Sequence, residues 1–138
     1  VEYFNMAVDV TVQSHKLNLL PALINRFKSK MEQNERNLAA LAHAYNYLKD
    51  YENKEKVYQE MTALIPNDPV PWYDLAKAQM RLNKTNAAAT SLRQSLTLYS
   101  QPGTTNQYDI PSFTRTNAIL APLRVRPEIQ KLLNPKID

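Results

Sequence analysis

The chain contains no cysteine and one glycine, Gly103, among its 138 residues. Without cysteine there are no disulfides, no thiolate nucleophile and no cysteine metal site. The compartment stays open, cytoplasm or periplasm, because a cysteine-free chain suits reducing and oxidising surroundings alike. One glycine allows no Gly-x-Gly-x-x-Gly loop, no Walker loop and no Gly-x-Ser-x-Gly elbow, so three large enzyme classes drop out. Sheet proteins need glycine for primed hairpin turns, whereas an all-helical chain needs it least. No run of about eighteen apolar residues is present to span a bilayer, and no basic, apolar and small-residue signal peptide opens the sequence. A block of one charge sign is missing too: 17 basic and 13 acidic residues are scattered, for a formal net charge of +4. That balance permits anionic partners without requiring them. The first residue is valine rather than methionine, and the chain is read as a processed or trimmed piece of a longer protein, from which an upstream signal or anchor could have been lost.

Site chemistry is similarly sparse. His15 and His43 have no partner at metal-ligand spacing, and no His-Glu-x-x-His run exists. No catalytic residue, metal ligand or cofactor is expected, and the chain is read as non-enzymatic. Asn83-Lys84-Thr85 has the form of a glycosylation acceptor, a pattern short enough to arise often by chance.

What the chain does have is a repeat. A shift of 34 residues pairs Leu38 with Trp72, Leu41 with Leu75, Ala42 with Ala76, Ala44 with Ala78, Leu48 with Leu82, Tyr58 with Leu92 and Leu64 with Leu98. Small stays small and apolar stays apolar, which is the mark of stacked units that bury their apolar faces against their neighbours. With 43% of its residues apolar, the chain has room for one domain with a moderate core.

In chain order, residues 1–13 carry a rough helical stripe at Phe4, Ala7, Val8 and Val12, and helix is favoured over strand. Ser14, His15 and Lys16 interrupt it. Leu17, Leu20, Ile24, Phe27 and Met31 then recur at three- and four-residue spacing and predict a second helix, with Pro21 in its first turn. The same shift carried backwards sets Phe4 against Leu38 and Ile24 against Tyr58, so residues 1–33 read as a degenerate first repeat. Asn34 is the expected N-cap of a helix whose inner face is Leu38, Leu41, Ala42, Tyr45 and Leu48. A partner helix from about Glu52 to Leu64 would face inward with Val57, Tyr58, Met61 and Leu64, leaving Lys54, Glu55, Lys56, Gln59 and Glu60 solvated.

Ile65-Pro66-Asn67-Asp68-Pro69 then stops one helix and starts another, with Asp68 as cap and Pro69 at the first helical position. Leu75, Ala76, Met80 and Leu82, followed by Ala88, Leu92, Leu96 and Leu98, predict an antiparallel pair joined at 83–86. Ala42, Ala44, Ala76, Ala78 and Ala88 fall where helices of a tight hairpin approach closely. Past Tyr99 the period fails: 100–103 reads as a loop, and Thr104 to Pro111 as a polar connector. Ile119, Leu120, Leu123, Ile129, Leu132 and Leu133 predict one or two short capping helices broken near Arg126-Pro127.

Trp72, Leu75, Ala76, Ala88 and Leu92 resemble the tetratricopeptide consensus, and Leu38, Leu41, Ala42, Tyr45, Tyr51, Tyr58 and Pro66 fill the corresponding places one unit earlier. The match departs at Lys54, where the family prefers a small residue, at Gln79, where it prefers Tyr, and at Ser100, where its Pro is missing. The segment 117–133 resembles endings seen after bacterial tetratricopeptide arrays, as in the C-terminal segment of a larger bacterial protein. The resemblance implies an all-α fold, a right-handed superhelical stack of antiparallel helix hairpins with a C-terminal capping helix. Residues 1–138 then form a single domain divided into a degenerate repeat (1–33), two repeats (34–68 and 69–102) and a loop with cap (103–138).

In that family the first helices line a concave groove. Projected onto this chain, the lining is Asn5, Asp9, Val12 and Gln13, then Arg36, Ala39, His43, Asn46 and Tyr47, then Val70, Tyr73, Lys77, Met80 and Arg81. Arg36, Lys77 and Arg81 supply charge, Asn46 backbone hydrogen bonds, and Tyr47 with Tyr73 anchors, a set suited to a protein or peptide partner of acidic character. His43 reads as a polar groove residue. The full lysine and asparagine set that grips a terminal carboxylate in chaperone-binding members is absent, which disfavours that partner. Nucleic acid is disfavoured as well, because Arg115, Arg124, Arg126, Lys131 and Lys136 lack interleaved aromatics and read as a solvated cap. The alternative to an interaction or scaffold module is an accessory or spacer tail of a larger enzyme or membrane protein. Oligomeric state is not readable from these residues.

Overall fold

A computed structural model describes residues 1–103 and 108–135. Every regular element among them is helical, and the chain divides into two compact units, Val1–Leu64 and Ile65–Asp138.

The first unit opens with helix α1 (Glu2–Gln13), which ends at Ser14 as His15 turns to a φ of 56°. A 3-10 turn at Leu17–Leu19 leads into α2 (Leu20–Lys28), with Pro21 in its first turn. This second helix is shorter than the apolar stripe that predicts it. The amides of Lys30 and Met31 both turn back to the Phe27 carbonyl, at 3.1 and 3.0 Å, so Met31 packs onto the core from the turn that follows the helix. Helix α3 (Glu35–Tyr47) begins as expected, with Asn34 Oδ1 accepting from the Asn37 amide at 2.9 Å. Lys49 takes a φ of 52° at the exit, and Asp50 Oδ1 accepts from the Asn53 amide at 3.1 Å, which starts α4 (Tyr51–Leu64) one residue before the expected Glu52. The core of this unit gathers Phe4, Val8, Leu20, Ile24, Leu38, Leu41, Tyr45, Val57 and Met61. Phe4 and Phe27 stack at 4.0 Å.

Two positions on α4 differ from the sequence expectation. Glu55, expected in solvent, is only 7% exposed, and Leu64, expected inside, is 46% exposed at the last helical residue. Glu55, Tyr58 and Thr62 recur at three- and four-residue spacing, so the arc that packs is wider than its apolar members and takes in two polar side chains. Thr62 meets its need locally by donating to the Gln59 carbonyl at 2.9 Å.

The second unit starts at the junction expected from its prolines. Asp68 Oδ1 accepts from the Val70 amide at 2.9 Å, Pro69 opens α5 (Pro69–Arg81), and Trp72 Nε1 donates to the Pro66 carbonyl at 3.0 Å. After Asn83, at a φ of 60°, the chain returns as α6 (Thr85–Tyr99). Ala76, Ala78, Ala88 and Ala89 are all buried in this hairpin. Small side chains let the two backbones approach, and polar side chains then bridge them: Ser95 Oγ donates to the Pro69 carbonyl at 2.7 Å, and Ser91 Oγ donates to Gln79 Oε1 at 2.7 Å. That pair accounts for the departure from the family pattern at Gln79, since a buried amide oxygen needs a donor and Ser91 supplies it. Ser91→Ala is expected to lower stability by about 1 to 3 kcal/mol, the cost of a buried acceptor left without a donor. Gln79→Leu combined with Ser91→Ala should recover most of that loss, as read from urea unfolding of the single and double variants.

After Gly103, whose φ of 81° suits glycine, come α7 (Ile110–Thr116), a 3-10 turn at Ala118–Leu120, α8 (Ala121–Arg124) and α9 (Pro127–Leu133). Of the expected polar connector, 104–107 lies outside the described residues, but Ile110 and Pro111 belong to a helix. Asp109 Oδ1 caps it by accepting from the Ser112 amide at 3.1 Å, and Thr114 is fully buried, donating to the Ile110 carbonyl at 2.8 Å. Ile110, Leu120, Leu123, Ile129 and Leu133 share one core with Tyr73, Ala76, Leu92 and Leu96, so the C-terminal segment covers the hairpin as a cap.

The arginines of this segment make hydrogen bonds within the unit, although Arg115 stays exposed. Arg124 Nη1 donates to the carbonyls of Thr114 and Asn117 at 3.0 and 2.6 Å, Arg115 donates to the Leu133 carbonyl, and Arg126 Nη2 donates to Asn86 Oδ1 at 2.8 Å. Short helices leave carbonyls without intrahelical partners, and a guanidinium can reach them from a neighbouring element. Lys131 is exposed, and Lys136 lies outside the described residues.

Candidate functional site

On α3, Arg36, Ala39, His43, Asn46 and Tyr47 occupy the face left over by the buried Leu38, Leu41 and Tyr45. Arg36 Nη2 reaches Glu2 Oε1 at 3.0 Å, an ion pair exposed on both sides. Arg36, Ala39 and His43, with Asn5 and Asp9 of α1, line a shallow pocket of about 450 Å³ floored by Ala40. The His43 ring meets Tyr47 edge-on at 5.1 Å. Asn46 is not part of this lining and accepts from Lys54 Nζ through Oδ1 at 3.0 Å. The same ammonium lies 5.8 and 5.9 Å from the rings of Tyr51 and Tyr58. A lysine in place of the family's small residue is thereby accommodated by two rings and an amide across the α3–α4 hairpin.

On α5 the candidates divide differently. Tyr73 is 6% exposed and belongs to the core, yet its ring still forms part of a pocket wall. Lys77 Nζ sits 4.8 Å from the centre of that ring and 3.2 Å from Asp74 Oδ1. Met80 packs half-buried on the core, and Arg81 is exposed in the last turn. The pocket, of about 480 Å³, takes Val70, Tyr73, Asp74 and Lys77 from α5. Its opposite wall is Tyr108, Ile110, Phe113, Thr116 and Asn117, from α7 and its flanks. The rings of Tyr108 and Phe113 lie 6.4 Å apart.

That second wall was not among the residues expected from the sequence. Apolar periodicity does not reveal a seven-residue helix in a polar stretch, although Asp109 followed by Pro111 is a helix-start signature and could have exposed it. The structure thus brings Tyr73 and Lys77 together in one pocket and Arg36 and His43 in another, while Asn46, Tyr47, Met80 and Arg81 line neither. Both pockets offer hydrogen-bond donors and acceptors beside apolar or small side chains. Among the described residues, no cluster of three His, Asp or Glu side chains is placed to hold a metal ion, and no helix is long and apolar enough to cross a membrane.

A family model described as tetratricopeptide repeat matches residues 35–68 and 71–102. No curated protein and no solved structure matches the chain. The two matched stretches coincide with the α3–α4 and α5–α6 hairpins and with the 34-residue spacing of Leu38 and Trp72. Residues 35–68 and 71–102 are therefore tetratricopeptide repeats, units that generally serve as protein-interaction or scaffold modules and are typically non-enzymatic.

Proposed function

We propose that the chain binds a partner polypeptide on the first helix of its second matched repeat, α5, with Lys77 and Arg81 as the polar contacts. The observation that carries this reading is the pocket of about 480 Å³ that α5 lines with Tyr73 and Lys77. Concave, largely apolar sites with a few placed polar groups are where ligands and peptide anchors bind. The α3 face, with Arg36 and His43 over Ala39, is a second and more polar contact of the same kind. An acidic segment would have to displace Glu2 from Arg36 and Asp74 from Lys77, so we favour a partner that brings both donors and acceptors. Residues 1–33 serve in this reading as a worn repeat and 103–138 as a loop and cap.

The test is a pull-down with the wild-type protein against the Lys77→Ala, Arg81→Ala double variant, matched for melting temperature. Loss of one specific partner is the expected result. Identical catches from the two proteins would contradict the reading and favour a spacer.

A further inference from the structure

From the walls of the α5–α7 pocket we infer that it takes one large apolar side chain, aromatic or branched, from an extended stretch of the partner polypeptide, while Lys77 and Asp74 bond that stretch's backbone. The inference rests on the reading of α5 as the contact face.

Three observations lead to this occupant. Size is the first: about 480 Å³ lies within the range of roughly 300 to 1,000 Å³ typical of ligand pockets and exceeds what a methyl or hydroxyl anchor would fill. The second is the lining. Phe113 and Tyr108 are 44% and 51% exposed although Ile110, on the same short helix as Phe113, is fully buried. These two exposed rings line one space, with the buried Tyr73 ring as part of its wall, and are suited to offset or edge-on contact with another ring.

Charge is the third. Lys77 and Asp74 lie 3.2 Å apart with about a third and a quarter of their side-chain surfaces exposed. An ammonium donor beside a carboxylate acceptor matches the C=O and N–H of a peptide backbone. A carboxylate ligand would be attracted by Lys77 and repelled by Asp74, so the anchor is neutral. One wall of the pocket lies outside the repeats, in the C-terminal segment, so its specificity belongs to this chain rather than to the repeat pattern.

The probe is N-acetyl-tryptophanamide, a large ring between two peptide groups, titrated into the isotope-labelled whole chain and followed by amide chemical shifts. N-acetyl-alaninamide and the amide of N-acetyl-aspartate are the comparators. Saturable shifts confined to Val70, Tyr73, Lys77 and the 108–117 segment, at concentrations where the comparators give none, are expected. Phe113→Ala should weaken the tryptophan probe by about tenfold, the effect of losing one aromatic contact and its buried area. Tyr108→Ala is a second variant that likewise leaves the core residues in place, and circular dichroism verifies both. Equal shifts from all three probes, or shifts spread over the surface, would overturn the inference. A partner that is lost with Lys77→Ala, Arg81→Ala but kept by Phe113→Ala and Tyr108→Ala would also overturn it, while leaving α5 as the contact face. Retention of every partner by the Lys77, Arg81 variant would sink both.

Discussion

Leu92→Ala is expected to lower the unfolding free energy by about 2 to 5 kcal/mol, the range for truncating a large buried aliphatic side chain. Leu92 is fully buried near the middle of α6, in a core to which α5 brings Ala76 and Tyr73 and the C-terminal cap brings Leu120, Leu123, Ile129 and Leu133. The cavity left by alanine would be walled by side chains from several elements. α5 and α6 are already held closely by alanines and by the Ser95 hydroxyl on the Pro69 carbonyl, so the walls have little room to close. A loss at the upper part of the range follows. Urea unfolding measures it, and Leu64→Ala, at a position 46% exposed, serves as the comparison that should lose far less. Similar losses at the two positions would contradict the core described for the second unit.

The second large effect is expected at Arg124. Its Nη1 group donates to the Thr114 and Asn117 carbonyls at the end of α7 and the start of the next turn. Arg124→Met keeps much of the apolar stem and removes both donors. Hydrogen bonds from charged groups contribute about 1.5 to 3 kcal/mol, and two part-buried carbonyls would be left to find water instead. A loss of that order is expected, with faster amide exchange concentrated in 110–120. If Arg124 were only a solvated charge, Arg124→Met would be nearly neutral and exchange in that segment would not change. The contrast separates a fastening role from the surface role that composition alone suggests.

Much of this was legible in the chain itself. The 34-residue spacing, the caps at Asn34 and Asp68, and the stop at Pro66 are local signals, because a capping side chain or a proline acts within one turn of its own position. What was not legible depends on partners distant in sequence. Glu55 is buried because the arc of α4 that packs is wider than its apolar stripe, and Gln79 is buried because Ser91, twelve residues on, answers it. Arg115 and Arg124 read as charge, yet they donate to backbone carbonyls that come within reach only once the short helices have packed.

The same limit shaped the candidate site. Family projection selected Tyr73 and Lys77, which line the pocket, because repeat position fixes the face of α5 on which they lie. It could not find Tyr108, Ile110 and Phe113, which belong to no repeat and reach the pocket only through the packing of α7 in the second unit. Asn46, expected to hold a partner's backbone, accepts from Lys54 through its Oδ1, a contact that repeat position does not reveal.

The central claim is that α5 is the side on which a protein partner is bound, and photo-crosslinking measures it most directly. A benzophenone amino acid is placed at Lys77 on α5 or, in a second variant, at the exposed Lys56 on α4. In the native cell, position 77 should crosslink one defined protein that position 56 does not, and excess wild-type protein should suppress the adduct. The same adducts from both positions, or none from position 77 that wild-type protein displaces, would contradict the claim.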